Sequence, residues 1–317
     1  MPLVPATPEA LERAGALLRK GGVVAFPTET VYGLGANAFD ARAVARIFDI
    51  KRRPEFDPLI VHVLDAAMLE RVARDVPAAA RVLMERFWPG PLTLILRKDD
   101  ALPELVTAGL ETVAVRMPSH PVARGLLEAA GLPLAAPSAN PFGYLSPTRA
   151  EHVVRMLGEA VDAIVNAGPA EHGVESTIVC LEPEPVLLRP GAIPVEEIVE
   201  AIGPLAPAPR DTASPLSPGR LPQHYAPATP VRLTRFERVP VRERAAAAAV
   251  ALESLPEGYA HARALTRHGS LREAAAHLFA VLHELDTLGV ERIDVEPVPE
   301  EGLGVAIMDR LRRAAAR

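Results

Sequence analysis

Cysteine is almost absent from this chain of 317 residues. The single cysteine, Cys180, cannot form an internal disulfide and suits a reducing compartment. No CxxC pair or HExxH sequence is present and the nine histidines are scattered, which argues against a structural zinc site. The net charge of -6 argues against a protein whose main role is to hold nucleic acid, because such proteins carry a strongly basic surface.

Long apolar runs and the familiar nucleotide-binding motifs are missing as well. No stretch approaches the roughly 18 apolar residues that a membrane helix needs, and residues 1–10 have no signal-peptide pattern. We therefore expect a cytoplasmic protein with no membrane contact. The chain contains no GxxxxGK followed by Ser or Thr, no GxGxxG and no GxSxG, so a bound nucleotide would need another kind of site.

The composition is that of an ordinary globular protein, with 49% hydrophobic and 23% charged residues. Apolar runs of strand length alternate with segments of helical periodicity, which predicts a mixed α/β fold. The predicted helices lie at 8–20, 40–50, 65–86, 121–130 and 147–157. The predicted strands lie at 23–26, 59–63, 92–96, 112–116, 133–136, 162–166, 176–181 and 185–189.

A change of composition divides the chain. Residues 203–230 are rich in Pro, Ala, Ser and Gly, which predicts an extended linker. We therefore predict a first domain at 1–203, a linker at 204–230 and a second domain at 231–317. Strands and helices alternate in the second domain, which predicts a small parallel sheet. The predicted strands are 231–235, 260–265 and 290–295, and the predicted helices are 241–253, 271–286 and 303–316.

The first candidate site segment follows the predicted strand at 23–26. Hydroxyls at Thr28 and Thr30 precede two glycines, and strand ends are where α/β folds expose ligands. An ordinary strand-to-turn junction explains the same pattern equally well. The second segment carries three consecutive cations, Lys51 to Arg53, which would suit a polyphosphate. A solvated charged surface is the commoner explanation of such a run, and His62 beyond it is more often structural than a ligand.

Two further segments carry polar groups at the ends of predicted strands. Thr112 and Arg116 lie on one side of a short strand, where the buried Arg needs an anion. A substrate carboxylate or a structural Asp or Glu would serve. Residues 135–140, with Ser146, expose hydroxyls and an amide that suit either phosphate contacts or turn formation. In the linker, Tyr225 either joins a site or fastens the linker to the first domain.

Taken together, these segments resemble the YrdC/Sua5 family of threonylcarbamoyl-AMP synthases. The similarity covers most of residues 10–230 and runs in order through FPTETVYGLG, KRRP with PLIVH, WPGPLTLIL, VAVRMP, APSAN, ESTIV, LRPG, and SPG with HYAP. The resemblance implies an α/β fold, with a YrdC-like twisted mixed sheet around a concave active-site cavity. The HYAP sequence and the extra C-terminal part resemble the long form, which adds a small Rossmann-like α/β Sua5 domain.

The resemblance also implies roles for individual residues. Lys51 and Arg53 would be catalytic. L-threonine would be bound by Thr30, His62, Arg116, the backbone of Ala136, and Ser176, with Arg116 on its carboxylate. ATP would be bound by Arg53, Asp57, Thr112, Ser138, Asn140, Ser146, Arg189 and Tyr225, with Mg²⁺ accompanying it and no metal ligand assigned with certainty to the protein.

Two positions depart from the family pattern. Asp57 stands where the family has Asn, and Cys180 follows ESTIV where an Asp is expected. An extra carboxylate beside a triphosphate repels it unless the carboxylate faces Mg²⁺ or an Arg. The resemblance therefore leaves the role of Asp57 open.

The implied activity converts L-threonine, bicarbonate and ATP into threonylcarbamoyl-AMP and pyrophosphate. A partner transferase would then attach the threonylcarbamoyl group to adenosine 37 of tRNA, so that tRNA is involved only indirectly. A non-catalytic module that binds a nucleotide or double-stranded RNA is the alternative from another class. Carbamoyl transfer, as in hydrogenase maturation proteins with a YrdC-like domain, would require further zinc-finger and acylphosphatase-like parts that this chain lacks.

Overall fold

A computed structural model describes residues 3–207, 217–219 and 224–316. In the first part of the chain the strands are β1 Leu3–Pro5, β2 Val24–Pro27, β3 Tyr32–Asn37, β4 Ile60–His62, β5 Ala73–Arg74, β6 Leu92–Lys98, β7 Thr112–Arg116, β8 Leu134–Ala135, β9 Ala163–Asn166, β10 Thr177–Cys180 and β11 Val186–Arg189. The helices there are α1 Pro8–Arg19, α2 Ala41–Lys51, α3 Ala66–Glu70, α4 Ala78–Phe87, α5 Glu104–Thr107, α6 Pro121–Ala130, α7 Ala150–Leu157 and α8 Val195–Ile202.

These strands form one mixed sheet in the order β1-β9-β2-β3-β8-β4-β7-β6-β10-β11, with β5 paired to β6. The pair β4 and β7 is parallel, and β6 runs antiparallel to β7. The ends of β4 and β7 therefore lie at the same edge as the starts of β6 and β10. This edge is where the polar segments from the sequence meet.

The second sheet is smaller and wholly parallel, in the order β12-β15-β13-β14. Its elements are β12 Val231–Leu233, α9 Val241–Arg244, β13 Ala247–Ala251, β14 His261–Ala264, α10 Leu271–Leu285, β15 Arg292–Val295 and α11 Leu303–Ala315. The expected fold class, a twisted mixed sheet with a small parallel α/β unit, is confirmed. The predicted linker falls partly on residues 208–216 and 220–223, which lie outside the described residues, and the domain boundaries stay a prediction.

The predicted helix at 65–86 is wrong as a single element. The structure instead has α3, the short strand β5 and then α4. Asp75 has a φ of 54°, which a helix does not accept, and Pro77 precedes the first turn of α4. The apolar periodicity of the two helices hides this interruption.

The predicted helix at 241–253 is also wrong beyond its first turn. Only Val241–Arg244 is helical, and the alanine-rich Ala247–Ala251 forms a central strand of the second sheet. All five residues of this strand are buried, since it pairs with a strand on either side. Alanine favours helices, but burial between two parallel neighbours overrides that propensity here.

The strand β3 was not predicted, because its polar start and its glycines resemble a turn. It forms a hairpin with β2, and Gly35 lies opposite Val24. A methyl group at Gly35 would lie 2.7 Å from Cε1 of Phe26. The glycine therefore allows the Phe26 ring to pack across the hairpin beside the candidate site.

Helix α10 of the second unit docks on the first unit through His283. The Nδ1 atom of His283 accepts from Arg155 Nη2 at 3.0 Å, and its Nε2–H donates to the carbonyl oxygen of Ser146 at 3.1 Å. The His152 ring lies 4.0 Å from the His283 ring. Burial first, and then His152 and Arg155, lower the pKa of His283 to about 3, and nearby Asp286 opposes this only in part.

This contact predicts a pH dependence of stability. Between pH 6.5 and about 3 the unfolded chain protonates His283 and the folded protein does not. The free energy of unfolding should therefore fall with falling pH, by about 1.4 kcal/mol per pH unit for this group. Urea unfolding from pH 7 to pH 5 measures the slope, and His283→Gln should flatten it by about that amount, since one proton fewer is taken up. An identical slope in the variant would show that His283 does not titrate this way.

Candidate active site

A cavity opens at the sheet edge where β4 and β7 end and β10 begins. It has a volume of about 540 Å³ including its mouth. Its walls are formed by Thr28, Thr30, Val31, Gly33, Arg53, Ile60, His62, Arg116, Ala136, Pro137, Ser138, Glu175, Ser176, Arg189, Pro218, Gly219, His224 and Tyr225. Nine of the residues predicted from the sequence are therefore brought together in one cavity.

Arg116, the last residue of β7, lies at one end of the cavity and is 3% exposed. Its Nη2 donates to Glu29 Oε1 at 2.6 Å, and its Nη1 donates to Thr30 Oγ1 at 2.8 Å. Burial would raise the pKa of Glu29, but the Arg116 charge and hydrogen bond outweigh it and lower this pKa to about 2. The Nε–H of Arg116 has no hydrogen-bond partner among the described residues, so one donor remains for a ligand.

His62 lies beside Arg116, because the two residues are register partners on β4 and β7. Burial, followed by repulsion from Arg116, lowers the pKa of His62 to about 3, so the imidazole is neutral near pH 7. Its Nδ1 atom has no hydrogen-bond partner among the described residues. The histidine thus offers an uncharged polar atom next to the arginine.

Ser176 and Arg189 form the adjoining wall. Arg189 Nη2 donates to Ser176 Oγ at 3.0 Å, and its Nε donates to the Ser176 carbonyl oxygen at 3.1 Å. Ser176 Oγ also lies 2.7 Å from Thr93 Oγ1. These contacts fix Arg189, which is 4% exposed, with its guanidinium at the cavity.

A second cationic group lies where α2 ends. Arg53 Nη2 lies 2.8 Å from Asp57 Oδ2, and its Nε and Nη2 donate to the carbonyl oxygens of Asp57 and Pro58. The Asp57 carboxylate is buried, and neither oxygen has a well-formed hydrogen bond. Burial raises the pKa of Asp57, and Arg53 is the main opposing charge. The extra carboxylate therefore faces an Arg, the arrangement that removes its repulsion of a phosphate.

Lys51 is 1% exposed and lies behind the 136–140 loop. Its Nζ donates to the carbonyl oxygens of Ser138 and Asn140, at 2.6 and 2.5 Å. Burial, and then Arg53, lower the pKa of Lys51 well below its ordinary value. An anion at its third donor position would stabilise the charged ammonium.

The 136–140 loop is thus held from behind while its other side faces the cavity. The Ala136 N–H donates to the Ile60 carbonyl oxygen at 2.8 Å, so a ligand has only its carbonyl to contact. Asn140 Nδ2 donates to the carbonyl oxygens of Pro141 and Tyr144, at 2.9 and 3.0 Å. Ser138 lines the cavity, whereas Asn140 does not.

The described parts of the predicted linker cover the cavity. Tyr225, 2% exposed, has a left-handed backbone with a φ of 60°, a conformation unusual for an aromatic residue. Its ring lies 4.1 Å from that of His224. Gly219 allows the Tyr225 hydroxyl to approach, since a methyl group there would lie 2.3 Å from this oxygen.

Five predicted site residues do not line the cavity: Lys51, Asp57, Thr112, Asn140 and Ser146. Ser146 lies behind the wall and donates to Glu175 Oε1. Thr112 is at the start of β7, four residues before Arg116, which places it about 13 Å away on the same face of the strand. Their assignment to ATP stays a prediction.

Sequence reasoning gave no role to two carboxylates that the structure places at the site. Glu29 pairs with Arg116, and Glu175 lines the cavity while accepting from Ser146. Both lie within the quoted motifs, beside residues that were assigned. The need of a buried Arg116 for an anion was the signal that could have identified Glu29.

Gly191, in the LRPG sequence, allows the turn after β11 to press against the start of β10. A methyl group at Gly191 would lie 2.4 Å from the Glu175 carbonyl oxygen, the Ser176 carbonyl carbon and the Thr177 nitrogen. Because these are backbone atoms, Gly191→Ala should lower the free energy of unfolding by about 1–3 kcal/mol. Urea unfolding measures this loss. Gly125→Ala, in α6 against only a flexible Leu11 side chain, is the control and should cost nothing; equal stabilities of both variants would contradict the close contact.

Membrane and metal features add no second site to the described part of the chain. Among residues 3–207, 217–219 and 224–316, no helix has the length and apolar character needed to cross a bilayer. The same residues contain no group of three or more His, Cys, Asp or Glu side chains placed to hold a metal ion.

Comparison with known proteins gives a consistent result. Residues 16–191 match the family Sua5_yciO_yrdC, described as "Telomere recombination", and residues 193–316 match the family described as "Threonylcarbamoyl-AMP synthase, C-terminal domain". The threonylcarbamoyl-AMP synthase of Bacillus subtilis is 44% identical over 96% of this chain and 92% of its own length. That of Pyrococcus abyssi is 43% identical over 95% of this chain and 93% of its own length.

Structural similarity extends over almost the whole chain. The crystal structure of P. abyssi Sua5 complexed with L-threonine has a TM-score of 0.90 and 40% sequence identity. The match covers 98% of this chain and 95% of that one. The chain belongs to the Sua5/YciO/YrdC family, in the two-domain form that carries the threonylcarbamoyl-AMP synthase C-terminal domain.

Proposed function

We propose that this protein is a threonylcarbamoyl-AMP synthase. It converts L-threonine, bicarbonate and ATP into threonylcarbamoyl-AMP and pyrophosphate, for the threonylcarbamoyl modification of adenosine 37 in tRNA. One observation carries the proposal. A single cavity places a partly unpaired buried arginine, Arg116, at one end and the buried cations Lys51, Arg53 and Arg189 nearby, which suits a small carboxylate beside a polyphosphate.

L-threonine binds at the Arg116 end. The free Nε–H and the cavity-facing edge of Arg116 receive its carboxylate, while Glu29 holds the guanidinium from the other side. Thr30 and Ser176 present hydroxyls, and the Ala136 carbonyl oxygen accepts from the amine. The neutral Nδ1 of His62 is a second acceptor there. This set is what a zwitterionic amino acid with a hydroxyl group needs.

ATP binds with its phosphates among Lys51, Arg53 and Arg189. These three buried cations lie near two buried carboxylates, Asp57 and Glu175, so the local excess of positive charge calls for an anion. Ser138, Asn140 and Ser146 lie on or behind the loop that Lys51 fastens. Tyr225 closes this side of the cavity.

The adenine ring lies along the apolar face that leads away from the cavity towards Thr112. Strand side chains alternate, so Thr112 and Arg116 share one face of β7. A buried apolar cluster occupies this region and consists of Ile60, Ile95, Ala114, Ile178, Val186 and Leu188. A flat purine would cover it, and Thr112 would contact the nucleotide at the far end.

Mg²⁺ accompanies the triphosphate. Asp57 offers buried carboxylate oxygens without well-formed hydrogen bonds, and Mg²⁺ is commonly held by one or two carboxylates together with phosphate oxygens and water. Asp57 would therefore hold the ion once ATP is present. When bound, Mg²⁺ would supply charge neutralisation at the phosphates.

The reaction needs no protein nucleophile. The threonine amine adds to bicarbonate with loss of water to give a carbamate. A carbamate oxygen then forms a bond to the α-phosphorus as the bond to pyrophosphate breaks. Arg116 and Thr30 hold the carbamate in line, Lys51, Arg53 and Arg189 stabilise the charge that develops on the phosphates, and the covered cavity excludes water from the labile carbamate.

The segment carrying Tyr225 acts as a lid over this cavity. His224 and Tyr225 of this segment line the cavity, and the left-handed backbone of Tyr225 is held by the packing around its ring. Product must leave past it to reach a transferase that acts on tRNA, so the lid opens once per turnover. The protein works in the cytoplasm, where tRNA and ATP are available.

Release of pyrophosphate tests the proposal. Purified protein with ATP, Mg²⁺ and bicarbonate should release pyrophosphate when L-threonine is added and little when it is omitted. Serine, which lacks the threonine methyl group, and glycine are the matched control substrates and should support lower rates. Salt-dependent binding of double-stranded RNA without any pyrophosphate release would favour the non-catalytic module instead.

A further inference from the structure

Arg310, on α11 of the second unit, reaches into the wall of the cavity. Its side chain is only 1% exposed, although α11 belongs to the second unit, whose sheet is separate from the one that carries the cavity. Its Nε donates to Glu175 Oε2 at 2.7 Å, and its Nη2 donates to the Pro190 carbonyl oxygen at 3.0 Å. Its guanidinium carbon lies 4.8 Å from the centre of the Tyr225 ring.

Apart from its Nη1, which donates to the neighbouring Asp309, the guanidinium of Arg310 contacts residues that are part of the site or adjacent to it in the chain. Glu175 precedes Ser176, Pro190 follows Arg189, and Tyr225 covers the cavity. One guanidinium therefore joins three separate segments of the wall. The proposed threonine end of the cavity, at Arg116, is not among its contacts.

The positive charge of Arg310 opposes the negative charge of Glu175 in the cavity wall. Glu175 is 5% exposed and lines the cavity, where an unpaired carboxylate would repel a triphosphate. Arg310 neutralises this carboxylate and directs one oxygen towards itself, while the other oxygen accepts from Ser146. The stacked guanidinium also fixes the orientation of the Tyr225 ring.

We infer that Arg310 is a positioning residue for ATP, through which the C-terminal unit completes the active site. It holds Glu175 neutralised, and it holds Tyr225 and the turn after Arg189 in the geometry that the nucleotide requires. The inference rests on the proposed function and adds to it a role for the second unit. If the second unit served only to stabilise the fold, a change at Arg310 would alter KM for ATP and KM for L-threonine alike.

Steady-state pyrophosphate release by the full chain tests this role. Arg310→Met should raise KM for ATP about tenfold or more, because the Glu175 carboxylate then loses the cation that opposes its charge most, and should change KM for L-threonine less than about twofold. Arg310→Lys keeps the charge without the forked geometry of the guanidinium. Its KM for ATP should therefore lie between the values of the wild type and of Arg310→Met. Arg312→Met is the matched control, since Arg312 is on the same helix, is exposed, and forms an ion pair with Glu300 at the surface.

A double variant separates positioning from stability. Adding Glu175→Gln to Arg310→Met removes the carboxylate charge that has lost its main partner and should restore part of the lost ATP affinity, whereas a structural role predicts that the losses add. If Arg310→Met does not fold, the same comparison of KM values is made with Arg310→Lys. If the variants keep the wild-type KM for ATP, or if KM changes equally for ATP and L-threonine, this inference alone is overturned. An inactive wild type would overturn the proposed function together with it.

Discussion

Arg116→Ala should abolish threonine-dependent pyrophosphate release, with kcat/KM for L-threonine falling about a hundred- to a thousandfold. The variant loses the buried guanidinium whose Nε–H remains free for a carboxylate. It also leaves Glu29 buried without its partner, which should lower the free energy of unfolding by about 3–5 kcal/mol. Initial rates at varied L-threonine measure the first effect, and urea unfolding measures the second.

Two variants separate binding from stability. Glu29→Gln combined with Arg116→Met removes both charges, so stability should recover while activity does not. Arg97→Ala, on neighbouring β6, is the matched surface control, since its ion pair with Asp75 is long and exposed. Restored activity in the charge-free double variant would refute the carboxylate-binding role of Arg116.

Lys51→Met should have the second large effect, a fall of about a hundredfold or more in kcat with bound L-threonine retained. The methionine fills the buried site but removes the cation that would contact the phosphates. The Ser138 and Asn140 carbonyl oxygens lose their donor as well. Single-turnover pyrophosphate release measures the chemical step, and calorimetry measures L-threonine binding.

Retained threonine binding is the internal control of this prediction. The loop that Lys51 fastens also contains Ala136, which lines the cavity and belongs to the proposed threonine end. A collapsed loop would abolish threonine binding together with turnover, whereas loss of a phosphate contact affects turnover alone. Lys20→Met, at the exposed end of α1, should behave like the wild type, and an active Lys51→Met enzyme would remove Lys51 from the catalytic group.

The sequence predicts this site well where it depends on strand ends. Arg116 and His62 each close a short buried strand, and the sheet places them side by side as register partners. Ser176 and Arg189 likewise lie next to strand termini on this edge of the sheet, and Thr30 lies in the turn between β2 and β3. Alternating burial and turn residues predict such positions, because they are local properties of the chain.

Contacts between distant segments are beyond such reasoning. Arg310 is 135 residues from Glu175 in the chain, and nothing near Arg310 distinguishes it from the other arginines of α11. The strand Ala247–Ala251 was taken for a helix for a related reason, since its state is decided by neighbours on both sides. Asp57 shows an intermediate case, because its partner Arg53 is only four residues away and yet outside any helix.

Identification of the product tests the central proposal most directly. Wild-type protein would be incubated with ATP, Mg²⁺, L-threonine and ¹³C-labelled bicarbonate, and the nucleotides analysed at once by mass spectrometry. The account predicts an adenylate of the mass of threonylcarbamoyl-AMP that carries one ¹³C atom and is missing without L-threonine. Pyrophosphate release without this adenylate, or an adenylate that contains threonine but no label, would contradict it.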